Sequence, residues 1–214
     1  ATINDTCANC NNKLLGDLDN YAKTVLQKSG VFTSNFLSDL AILEYEYSLF
    51  ERWLLKVSFN SARANRNAQN IFEQHIPYIL GKQLRSDKIF VFAAIHKPAK
   101  LTQAEMFKYQ GLLPFDSNGL SNPFFVRIMK SVILDDDFVV RPIILGSFLF
   151  LIVLFNHQHP SDYKIRKVTY LLNKYPKMQA IEPSSSSIRL AQMSLTFSDT
   201  QKNQACYLQQ LGVL

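Results

Sequence analysis

The residues best suited to chemistry stand near the start of the chain. Cys7 and Cys10 enclose Ala8 and Asn9 in a C-x-x-C. Two thiolates at this spacing can share one tetrahedral zinc ion, provided two further ligands arrive from elsewhere. Candidates for those ligands within the chain are weak. His157 and His159 would share one side of an extended segment, but beside Pro160 they read as polar surface residues. Asp135 to Asp137 offer carboxylates to a divalent cation, yet between two apolar runs they read as a solvated hairpin turn. His75 and His96 are solitary and have no assigned role, and Cys206 reads as a semi-buried apolar residue. No Ser-His-Asp or Cys-His order stands out, and there is neither a G-x-G-x-x-G nor a P-loop pattern.

A second feature suits binding rather than catalysis. A helical pattern extends from about Glu44 to Asn70. On a 3.6-residue wheel with Arg52 at 0°, Lys56 falls at about 40°, Arg63 at about 20° and Arg66 at about −40°. Asn67 and Asn70 lie on the same side. Phe50, Trp53, Leu54, Val57, Ala64, Ala68 and Ile71 occupy the opposite arc and are expected to face the core. Four outward cations in one stripe suit successive phosphates of DNA or RNA, each contact releasing condensed counterion. Glu44, Glu46 and Glu51 at the front of the helix work against a purely basic surface. The formal charge of +6 also favours a polyanionic partner, although net charge bears on association rather than fold.

These groups must be positioned by a chain of 214 residues, long enough for one substantial core. Hydrophobic residues make up 47% and charged residues 19%, a balance that excludes a disordered chain. Three cysteines do not make a secreted disulfide framework, and no signal peptide pattern is visible, so a cytoplasmic location is expected. The longest apolar run, Pro142 to Phe155, contains Gly146 and Ser147 and falls short of the roughly 20 residues of a spanning helix; no membrane partner is expected. Leu14, Leu15, Leu18, Ala22, Val25 and Leu26 recur at helical spacing up to Gly30, and Ser38 or Asp39 is read as opening the second helical region. From Ile89 the pattern changes to β-rich runs: 89–95, 124–134, 138–145, 148–155 and 188–197. A helical turn is expected at Thr102 to Tyr109. A later helix is expected over 162–174, with Ser161 as N-cap and Ile165, Val168, Leu171 and Leu172 inward. The expected class is α+β, N-terminal helices followed by an antiparallel sheet with a further C-terminal helix. The whole chain, 1–214, reads as one domain, in which residues 1–30 form a finger-like remnant, 31–87 are helical and 88–214 are mainly β.

The block Cys7-Ala8-Asn9-Cys10-Asn11-Asn12, followed by an amphipathic helix with Leu15-Gly16 and Leu18-Asp19 near its start, resembles the closing half of an HNH (ββα-metal) endonuclease finger. In that family an upstream C-x-x-C and a C-x-x-C-N at the head of the helix share a structural zinc. A strand histidine between them activates water, and the asparagine supports the active site. The resemblance therefore implies Cys7 and Cys10 as zinc ligands and Asn11 as the family asparagine. Trp53-Leu54-Leu55-Lys56-Val57-Ser58-Phe59-Asn60 is more loosely similar to a segment that follows such fingers. The resemblance covers about the first 30 residues firmly and the next 40 faintly. Neither the upstream C-x-x-C nor an Asp-His pair precedes Cys7 in these residues, so the family's general base is absent from the chain as it stands.

The implied function is a nucleic-acid-associated protein of HNH-nuclease-like ancestry, the C-terminal portion of a metal-dependent phosphodiester hydrolase whose intact form would use a Mg²⁺-type cation. The alternative is a non-catalytic protein-interaction or structural subunit, with a protein partner or a second copy as its ligand and ordinary thiols ahead of the first helix.

Overall fold

The two most apolar runs in the chain pair with each other. In this computed structural model, which describes residues 15–66, 68–134 and 137–210, the helical first part comprises α1 (Leu15–Lys28), β1 (Leu40–Glu44), α2 (Tyr47–Asn65), α3 (Gln69–Glu73) and α4 (Ile76–Ile79). Strand β2 (Ile89–Ile95) opens the β-rich part, followed by β3 (Ala99–Lys100), α5 (Gln103–Tyr109), β4 (Leu120–Ser121), β5 (Val126–Ile128) and β6 (Val132–Leu134). The chain continues through β7 (Phe138–Leu145), β8 (Phe148–Phe155), α6 (Ser161–Leu172), β9 (Gln179–Ala180), β10 (Ser187–Ala191) and α7 (Phe197–Gln210). The α+β class is as the sequence predicts.

β7 and β8 form an antiparallel hairpin in register from Phe138↔Phe155 to Leu145↔Phe148. Its two-residue turn starts at Gly146, whose φ of 57° is the conformation that a turn of this kind asks of a glycine. A side chain there would also meet the Val31 carbonyl oxygen at 2.6 Å. β2 lies along the other side of β8, and the principal sheet runs β5-β7-β8-β2-β9 with β6 also on β7. Every residue of β7 and β8 is buried, because both faces of the sheet are covered. Alternate residues such as Val91, Val139, Phe148 and Phe150 meet α1 and α2, while Phe92, Val140, Leu149 and Leu151 join Val168 and Leu171 of α6.

Pro142 sits in the middle of this sheet, where a missing N–H normally breaks a ladder. Here its carbonyl accepts from Met129 N (3.0 Å) on the side where β5 gives way to β6, so the absent donor falls at that junction. Beside it the guanidinium of Arg141 is fully buried, donating to Ser131 Oγ (2.8 Å) and Ser61 Oγ (2.5 Å) and lying over the Phe72 ring.

Several expectations are corrected. Leu40–Glu44 is a strand, not the start of a helix; it pairs with β10, about 150 residues later. α2 ends at Asn65, because Arg66 and Ala68 take left-handed φ values of 50° and 57° and redirect the chain into α3. Ala64 is exposed rather than in the core. The 124–134 run divides into β5 and β6, and the 188–197 run stops at Ala191. α6 begins at Ser161 behind Pro160, with no side-chain cap, and Ile165 points outward at 57% exposure. Cys206 is exposed on α7. Thr102 and Glu105 cap α5 reciprocally, a stronger signal than the turn expected there. No helix among the described residues is long and apolar enough to cross a membrane.

Candidate nucleic-acid interface

α2 carries three cations of the expected stripe and Arg66 follows its last residue, but the fold uses the four differently. Lys56 turns inward and is buried. Its Nζ donates to Asp19 Oδ2 (2.5 Å) and to the Leu15 carbonyl (2.9 Å) of α1. Arg52 is half-buried, with Nε donating to the Ile79 carbonyl (3.0 Å) and the guanidinium lying against Gly81. Arg63 is half-buried with its guanidinium 5.2 Å from the Phe59 ring centroid. Arg66 is exposed one residue beyond the last turn. The stripe of four is thus reduced to its C-terminal pair at the surface. A cation at that end is also stabilised by the helix dipole, so its location alone does not imply a ligand. Asn67, like Cys7, Cys10 and Asn11, lies outside the described residues.

Lys56 and Trp53 converge on the same carboxylate. Trp53 Nε1 donates to Asp19 Oδ1 (3.2 Å) while Lys56 takes Oδ2. Around them Leu18, Ala22, Val25 and Leu26 of α1 pack with Phe50, Trp53 and Leu54 of α2. The helix after the cysteine motif is therefore bolted to α2 by one ion pair and a shared apolar seam. The partners are unequal: the Lys56 side chain is 9% exposed and that of Asp19 is 55% exposed. Asp19→Ala strands an ammonium against one carbonyl and should cost about 2–3 kcal/mol, whereas Lys56→Met leaves a carboxylate that water can solvate and should cost about 1 kcal/mol. Urea unfolding of the two variants checks this order; equal losses would mean that the ammonium reaches water in the native state.

Glu51, expected at the surface with Glu44 and Glu46, is 1% exposed. Its carboxylate accepts from Tyr47 Oη (2.5 Å), Tyr78 Oη (2.7 Å) and Arg85 Nε (3.1 Å to each oxygen). Burial pushes the Glu51 carboxyl upward against the pull of Arg85 and the phenols. Burial also raises both phenols, with the carboxylate adding to it. For Arg85, burial is the largest single effect and works downward, but the Glu51 charge, Tyr47 and the hydrogen bonds to both together outweigh it and hold the guanidinium above its ordinary value. Tyr47 and Glu51 are one turn apart in α2, and that i,i+4 pairing was the only signal legible in the sequence.

Comparison with protein-family models, curated proteins and solved structures gives no match.

The remaining histidines do not gather into a metal centre. Among the described residues no group of three or more His, Cys, Asp or Glu side chains is placed to hold a metal ion. His159 stacks on Tyr163 (4.7 Å between centroids), with Nε2 3.6 Å from Asp137. Asp137 also accepts from the Tyr163 hydroxyl, and that bond holds its carboxyl below the usual range. His96 is fully buried, its Nε2 3.0 Å from Thr200 Oγ1 of α7. Burial lowers its pKa to about 4, against weaker opposing effects from the Ser147 carbonyl and Asp199. These contacts tie α6 and α7 to the sheet.

Proposed function

We propose that this chain is part of a nucleic-acid-associated protein of HNH-nuclease-like ancestry, in which the body formed by α2 and the sheet holds a finger-like element by its helix. The observation that carries this reading is the contact between the two segments on which the resemblance rests. Asp19 and the Leu15 carbonyl of α1 are gripped by Trp53 and Lys56 of α2. In this reading Cys7 and Cys10 are two of the zinc ligands, Asn11 supports the active site, and a Mg²⁺-type cation serves the intact nuclease. Arg63 and Arg66 are the phosphate contacts, and Arg52 and Lys56 hold the platform together.

Fluorescence anisotropy with labelled duplex DNA, single-stranded DNA and RNA tests the binding. A two-cation contact to duplex DNA should give a slope of about −2 in log K against log salt. The double variant Arg63→Glu, Arg66→Glu should flatten that slope and weaken binding by about tenfold or more at low salt. Metal analysis of the same preparations, with and without Cys7→Ser, reports whether zinc depends on the cysteine pair. Binding that ignores salt and both charge reversals would discard the phosphate contacts.

A non-catalytic interaction subunit is the second reading. In its favour, Phe32, Phe124, Phe125 and Val126 are exposed together near the β5 edge of the sheet, with Phe32 and Phe124 6.1 Å apart. It predicts the same weak nucleic-acid response in the wild-type protein and the double variant.

A further inference from the structure

Beside the buried Glu51 cluster a cleft of about 600 Å³ opens between β2, α6 and the chain following β9. That volume lies within the range of small-molecule sites. Its walls are apolar, with Phe90 and Phe92 from the sheet and Ile165 and Val168 from α6. Ile165, more than half exposed on the outward side of α6, lines this wall. The polar lining residues are Tyr47, Arg85, Thr169, Glu182 and Ser184, the last three exposed at the rim.

Arg85 is fixed from behind. Nε is held by both Glu51 oxygens and by Tyr47 Oη (3.0 Å), and Nη2 donates to the Ile89 carbonyl. Nη1 donates to none of the described residues. The guanidinium charge is balanced by Glu51, while Nη1 keeps two N–H donors that no described residue takes. A rigid guanidinium edge matches a carboxylate better than any single-point acceptor. Glu182 at the rim opposes a second negative charge.

We infer that this cleft binds a small monocarboxylic acid with an apolar body, its carboxylate on Arg85 and its hydrocarbon or ring against Phe90, Phe92 and Ile165. The inference is independent of the nucleic-acid reading. No covalent step is involved.

The probes are 3-phenylpropionate and octanoate, with 3-phenylpropionamide and octanamide as neutral counterparts, titrated into the full chain by calorimetry and followed by ligand-observed NMR. The acids should bind at about 0.1–1 mM, and the amides at least about tenfold more weakly. Arg85→Gln should abolish the preference for acid over amide. Because that variant disturbs Glu51, Thr169→Trp provides an independent block: it fills the cleft from an exposed helical position and should weaken both acids about tenfold while leaving the thermal midpoint unchanged. Equal binding of acids and amides, no binding at about 10 mM, or acid binding unaffected by Thr169→Trp would each overturn the proposal.

Discussion

Replacing Arg85 with methionine should destabilise the protein by about 3–5 kcal/mol at neutral pH, one of its largest single-residue penalties outside the apolar core. The cause is not the loss of an attraction but the carboxylate left behind. Glu51 is sealed within the protein, and without the guanidinium its charge is answered only by Tyr47 and Tyr78. Removing both charges avoids that penalty. The double variant Glu51→Leu, Arg85→Met should therefore be more stable than Arg85→Met alone, although two phenols lose an acceptor. The pH dependence follows from the direction already noted. The Glu51 carboxyl is displaced upward by burial, and removing Arg85 displaces it further. The penalty of Arg85→Met should then shrink as pH falls and Glu51 takes a proton. Urea unfolding across pH measures both effects. A loss under about 1 kcal/mol, or a penalty that does not depend on pH, would show that water reaches Glu51.

Acid should weaken the wild-type protein well before its surface carboxylates titrate. His75 and His96 are each lowered to about 4, chiefly by burial, with Lys88 adding to the effect at His75. In the unfolded chain both return to about 6.5. Between those values the unfolded state binds more protons, so stability is complete above about pH 6.5 and is lost as pH falls to about 4. Each histidine contributes about 3 kcal/mol across that window. Upward-shifted Glu51 works the other way and offsets part of the loss. Below the window, Asp87, Asp137 and Asp199, all held low by hydrogen bonds, take over the decline. His75→Gln and His96→Gln keep a neutral polar side chain at each position. Each should remove about half of the fall in urea midpoint between pH 7 and pH 4.5, and together they should flatten it. An unaltered fall in the double variant would place the acid sensitivity elsewhere.

The parts of this fold legible in the sequence are those whose cause is local. β2 and β8 are legible because each is an uninterrupted apolar run, and β7 because apolar β-formers flank its Arg141 and Pro142, with Gly146 marking the turn between β7 and β8. β1 was not visible, because its five residues become a strand only by pairing with β10 far along the chain. The end of α2 was missed for a different reason. Arg66 and Ala68 adopt left-handed backbone without the glycine that usually announces it. α7 escaped because its first half is polar and it is held by a few specific contacts, among them His96 to Thr200 and Gln204 to the Lys130 carbonyl. The stripe shows where wheel geometry runs out. It gives the direction of a side chain from the axis but not the neighbour that claims it, and Lys56 is claimed by Asp19 of another helix. Glu51 was misjudged in the same way. Its partners Tyr78 and Arg85 lie 27 and 34 residues further on.

The β7–β8 hairpin also matters when the protein is not folded. Any unfolded copy exposes Phe138 to Phe155, a segment rich in Phe, Ile, Leu and Val with a strong tendency to assemble edge to edge with other copies. Arg141 and Pro142 interrupt its first strand, one with a charge and the other with a missing donor. In the native sheet both are awkward: burial alone lowers Arg141 to about 10. In the unfolded ensemble they are gatekeepers that slow intermolecular cross-β growth. The second strand, Phe148 to Phe155, carries no such residue, so heating should lead to precipitation and the observed melting temperature should move with scan rate.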